Sequence, residues 1–150
     1  MKKLLLILAL GSLTATANHP LTGSLSPHVI AIVARYNTIE QHMKELTVIL
    51  ARVQDKSSAE AESATFEQHY TEMSRWLKSV PDPYKIFPEI KTFADRKLII
   101  STRKAVENAG LSLQKELIRL AEAEFYGSAT LIKTLQSLEI LGDEADEFIR

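Results

Sequence analysis

The stretch Thr38-Ile39-Glu40-Gln41-His42-Met43-Lys44-Glu45-Leu46 is echoed by Thr65-Phe66-Glu67-Gln68-His69-Tyr70-Thr71-Glu72-Met73. Both read T-apolar-E-Q-H-apolar-x-E-apolar. In each copy a His stands three residues before a Glu, a spacing that puts both on one side of an α-helix. Imidazole and carboxylate together suit Zn and other divalent transition ions. His42, His69, Glu45 and Glu72 are therefore the candidate metal set. The competing explanation is that two amphipathic helices carry the same common surface residues, and the low specificity of the motif favours it. Such an ion apart, no motif in the chain calls for a cofactor.

A second group is aromatic. Trp76, Tyr84, Phe87 and Phe93 gather around the segment PDPYKIFP, interleaved with Lys78, Lys85 and Lys91. Prolines and aromatics at the end of a helical bundle can form a partner-binding lip. The simpler role, and the favoured one, is to plug that end. A third group is charged. Lys85, Lys91, Arg96, Lys97, Arg103 and Lys104 are answered by Glu139, Asp143, Glu144, Asp146 and Glu147 near the chain end. Mutual neutralisation on a wet surface accounts for them, with contact to a polyanion or an anionic envelope as the alternative.

Other chemistry finds little support. No serine sits in G-x-S-x-G, there is no H-E-x-x-H, and only five glycines occur, none of them in a phosphate-cradling loop. Arg35, Arg52, Arg75, Arg103 and Arg119 could serve a helical enzyme acting on small carboxylates, but no local motif marks them. The absence of cysteine removes disulfides, thiol chemistry, covalent haem and a lipoprotein anchor.

The elements that must carry these residues are helices. Between His28 and Val80 there is neither Gly nor Pro. Val29, Ile32, Tyr36, Ile39, Met43, Leu46, Leu50 and Val53 are spaced alternately by three and four, which predicts one apolar seam. Continued past Val53, that phase lands mostly on polar residues. Ala59, Ser63, Phe66, Tyr70, Met73, Leu77 and Val80 form a new seam. The spacing predicts an antiparallel hairpin turning near residue 55, with Ser57 and Glu60 as a capping box. In that register His42 and His69 lie at nearly one level.

Pro81, Pro83 and Pro88 end the second helix. A third helix is expected from about Glu89 to Tyr126, with Ile99, Val106, Leu113, Leu117 and Leu120 inside and a possible break at Gly110. Gly127-Ser128 reads as a turn. The last helix would carry Leu131, Leu135, Leu138, Gly142, Ala145 and Ile149, folded back so that Leu120 meets Leu135, Leu117 meets Leu138 and Gly110 meets Ala145. The expected fold class is all-α: an up-down-up-down four-helix bundle built from two antiparallel hairpins.

The opening MKKLLLILALGSLTATA has two lysines, an unbroken apolar run from Leu4 to Leu10, and small residues at Ala15 and Ala17. That order predicts a signal peptide over residues 1–17 with cleavage near Ala17, and hence a secreted or periplasmic protein. Residues 18–27 would be a flexible leader and residues 28–150 one helical domain. Removing Lys2 and Lys3 takes the 18 basic residues to 16 against 19 acidic ones, a net charge near −3 with His neutral. That balance gives no general attraction to nucleic acid. No later run is long enough for a stable membrane span. The functional expectation is a non-enzymatic bundle that acts by binding an unidentified protein or envelope component, or by pairing with itself as a homodimer. The alternative is a small-ligand or metal-binding bundle, with or without catalysis.

Overall fold

The structure is a computed structural model that describes residues 25–80, 90 and 92–142. Residues 1–17 and most of the expected leader, the proline segment with Tyr84 and Phe87, and Ala145, Ile149 and the acidic end lie outside the described residues. Four α-helices are present among the described residues: α1 (Pro27–Ala51), α2 (Lys56–Ser79), α3 (Phe93–Glu122) and α4 (Ala129–Ser137). Among the described residues there is no strand, and no helix is long and apolar enough to cross a membrane.

α1 begins where its residues dictate. Pro27 takes the first turn, where its missing N–H costs nothing, and Ser26 Oγ accepts from the Val29 N–H at 3.2 Å. All eight residues of its predicted seam are buried, and Ile49 joins them. The turn after α1 falls at residues 52–55, as expected, but the cap is not Ser57. Asp55 Oδ1 accepts from the Ser58 N–H at 2.7 Å, and Ser58 Oγ accepts in return from the Asp55 N–H at 3.0 Å. An Asp caps as well as a Ser, and here Ser58 closes the reciprocal box. The Ser58 N–H and then its hydroxyl hold the Asp55 carboxyl below its ordinary range.

Cross-helix bonds give directions. Arg35 Nη1 donates to Ser79 O at 2.6 Å, and Arg52 lies 3.8 Å from Glu62 near the turn, so α1 and α2 run antiparallel. α3 runs the same way as α1. The Ser26 N–H donates to Asp95 Oδ1 at 3.2 Å at one end, and Arg119 Nη2 donates to Leu50 O at 2.8 Å and Val53 O at 3.1 Å at the other. The partners are 66 to 69 residues apart throughout. α1 is thus the shared wall, with α2 on one side and α3 on the other, and its packing on α3 is the more extensive.

α3 is unbroken at Gly110. The glycine faces α1, where a Cβ would sit 3.8 Å from Met43 Sδ; its expected partner Ala145 lies outside the described residues. Ser112 Oγ donates to Asn108 O within the helix and caps nothing. A single Gly costs about 1 kcal/mol in a helix, less than the continuous apolar face of α3 returns. The helix is shorter than expected at both ends. It starts at Phe93 because Thr92 Oγ1 accepts from the Asp95 N–H, and it stops at Glu122 because the chain then turns left-handed.

Glu124, Phe125, Tyr126 and Gly127 all have positive φ, between 48° and 65°. Each of the three non-glycine residues costs about 1–2 kcal/mol in that region. Phe125, 1% exposed, anchors the turn in the core. Ser128 then caps α4, as expected. Among the described residues the backbone of α4 makes its main approach to α2, so α2 is the chief neighbour of α4. α4 also ends early, at Ser137. Glu139 adopts φ 57°, the Ile140 N–H donates to Leu135 O and the Glu139 N–H to Gln136 O, both at 2.9 Å. This is a Schellman stop with Glu where Gly is usual, and it drives Ile140 into the core.

Candidate metal centre

The hairpin brings together three of the four candidate ligands. His42 and Glu45 come from consecutive turns of α1, and His69 reaches across from α2. Their ligand atoms all lie within 4.8 Å of one another. Glu45 Oε2 is 3.1 Å from His69 Nδ1 and 3.6 Å from His42 Nδ1. The two rings stand edge to face with centroids 6.1 Å apart. Bonds of about 2.0–2.1 Å around a tetrahedral ion separate neighbouring ligand atoms by roughly 3.3 Å, so two of the three separations already suit a metal.

Both Nδ1 atoms are closed off from solvent and neither makes a hydrogen bond. The 3.1 Å approach of His69 to Glu45 is close enough for one but wrongly directed, so the short distance is proximity and not a bond. Buried polar atoms without partners are uncommon and call for an explanation. The other oxygen of the carboxylate is occupied: Gln41 Nε2 donates to Glu45 Oε1 at 2.9 Å. That bond turns Oε2 towards the imidazoles, as outer-shell partners of metal ligands do. Gln41 is the part of the repeated motif whose use the sequence did not disclose.

Glu72 does not join the cluster. In an antiparallel pair the two His-to-Glu steps run in opposite directions. Each step of three residues advances about 4.5 Å, so the two carboxylates are carried roughly 9 Å apart relative to their histidines. One ion cannot use both.

A groove of about 330 Å³ opens beside the cluster, between α1 and α2. Glu45 and His69 form part of its wall, with Gln41, Lys44, Arg52 and Thr65. Lys44 Nζ is held by Glu40 at 2.6 Å, whereas Arg52 is 3.8 Å from Glu62 with its side chain 63% exposed.

The other candidates are placed differently. Trp76 is 40% exposed and Phe93 37%, both at the end where α2 stops and α3 starts, so these two are surface residues and not a buried plug. The scattered arginines do not converge on a site. Arg35 and Arg119 bind carbonyls at helix ends, and Arg103 lies 3.7 Å from Glu107. Asp95, 2% exposed, is a buried carboxylate that periodicity could not flag; it ties the start of α3 to the start of α1. No protein-family model, curated protein or solved structure matches the chain.

Proposed function

We propose that this chain is a metal-binding helical bundle that takes a divalent transition ion such as Zn between α1 and α2, on His42, His69 and Glu45. The observation that carries this reading is the pair of solvent-excluded, unbonded Nδ1 atoms facing one carboxylate oxygen. An ion there would satisfy both imidazoles and tie the two helices together, so binding would add to folding stability. In the same reading α4, which lies against α2, completes an up-down-up-down arrangement, and the opening residues export the protein to the periplasm or beyond.

Calorimetric titration of the purified protein with Zn, Ni, Cu and Mn tests the reading. One ion per chain should bind, and at 100 times its dissociation constant it should stabilise the fold by about 2.7 kcal/mol, reversed by a chelator. Affinity should fall as pH drops through the imidazole range, because the ligands must be deprotonated. His42→Ala with His69→Ala should abolish binding and leave the metal-free stability nearly intact. Glu72→Ala should change nothing. Equal heats for wild type and the double variant would remove the metal from the account.

The exposure of Trp76 and Phe93 favours a second role, contact with another macromolecule or a second copy at that end of the bundle. Trp76 is the only tryptophan, so its emission should shift to the blue as that face is covered. An emission maximum unmoved by protein concentration or by a candidate partner argues against that role.

A further inference from the structure

We infer that an ion held by His42, His69 and Glu45 keeps an open coordination position that admits a small oxyanion, a carboxylate or a phosphate, from the adjoining groove. The inference rests on the metal-binding reading and goes one step past it. Three side chains supply three donor atoms, whereas Zn is normally four-coordinate. Glu45 does not fill the fourth position by binding through both oxygens, because Gln41 Nε2 already engages Oε1 at 2.9 Å. Two neutral imidazoles and one carboxylate leave a divalent ion with a net charge of +1, which favours an anion over a further neutral ligand.

The surroundings of the open side fit the same chemistry. Glu45 and His69 line the groove of about 330 Å³, so two of the three ligand side chains border the space from which an anion would approach. The groove has room for a small carboxylate or phosphate. Arg52 stands in its wall, only loosely engaged at 3.8 Å from Glu62, and can turn its planar fork to an oxyanion. The Thr65 hydroxyl and the Gln41 amide are further polar groups of the same wall. Lys44 adds positive potential but is already held by Glu40 at 2.6 Å.

The test uses the full protein loaded with Co(II), whose visible absorption reports its coordination, titrated separately with acetate and with inorganic phosphate. Each arm shows whether its own anion class is taken. A saturable change in the spectrum with either anion, and no binding of that anion to metal-free protein, is the expected result. Arg52→Gln, at an exposed position, should weaken the anion roughly three- to tenfold and leave Co(II) affinity unchanged. Failure of Co(II) to bind at all would refute the metal reading itself. Normal Co(II) binding with a spectrum blind to both anions would overturn this inference alone. A spectral response as strong in Arg52→Gln as in wild type would overturn the assignment of the anion to this groove.

Discussion

Arg119→Met should cost about 2–3 kcal/mol of stability, and the figure follows from four contacts. The guanidinium donates to Leu50 O at 2.8 Å and Val53 O at 3.1 Å, carbonyls at and just past the end of α1, where Leu50 O also accepts from the Val53 N–H at 3.0 Å. It also meets Glu116 Oε2 at 2.8 Å and the Tyr126 hydroxyl at 3.3 Å. A bond from a charged donor is worth roughly 1.5–3 kcal/mol when buried. The Arg119 side chain is 36% exposed, so water recovers part of that, and about 1 kcal/mol for each carbonyl bond is the fair figure. The Glu116 pair adds at most about 1 kcal/mol, and the long bond to Tyr126 adds little. Methionine keeps the length of the stem, so the packing term nearly cancels. Urea unfolding should show a lower midpoint at unchanged slope, with the melting temperature down by roughly 8–12 °C. Arg119→Lys should recover less than half of the loss, because one ammonium cannot reproduce a fork that reaches two carbonyls, a carboxylate and a phenol. An Arg119→Met protein within about 1 kcal/mol of wild type, half the smallest expected effect, or an Arg119→Lys protein as stable as wild type, would refute the claim that this side chain fastens α3 to α1.

Two further outcomes follow from the hairpin and from the end of α4. Leu46→Asp buries an uncompensated charge at a fully enclosed position and should cost more than about 4 kcal/mol, whereas two glycines inserted between Gln54 and Asp55 should cost under about 1 kcal/mol in a melting experiment. Similar losses from both would count against a turn at that point. Glu139→Gly relieves a positive φ at the Schellman stop and should stabilise by about 0.5–1 kcal/mol in the same assay, and a loss of stability would contradict the assigned backbone.

What the sequence disclosed and what it withheld divide along physical lines. The seam from Val29 to Val53 was legible because burial on one face of a helix imposes a three-four spacing, and each of its residues is buried. The turn near residue 55 was legible as a break in phase. Ser26, Pro27 and Ser128 were legible as caps because their chemistry acts within one turn. The cap at Asp55 was missed because several small polar residues stood in a row and only geometry chose among them. The neighbours of α1 were not legible: periodicity says that a face is buried, not against which helix. The bonds that settle it, Ser26 to Asp95 and Arg119 to Leu50, join residues 69 apart with no local signature. At the candidate site the echo singled out both histidines and Glu45. It could not decide against Glu72, because that depends on the two copies running in opposite directions. Nor could it separate Gln41, which bonds to Glu45, from Gln68 in the second copy.

The parallel docking of α3 on α1 has a consequence for synthesis. α1 and α2 are neighbours in the chain and can close as a hairpin as soon as both have left the ribosome. The face of α1 that belongs to α3 then stays uncovered until residue 122 has been made and released. At 5–20 residues per second, roughly two to nine seconds separate completion of α2 from completion of α3. During that interval the nascent chain presents an apolar stripe to whatever is near. The waiting time is written into the order of the helices, and a circular permutant that begins at α3, so that α1 emerges after α3 has been made, would abolish it.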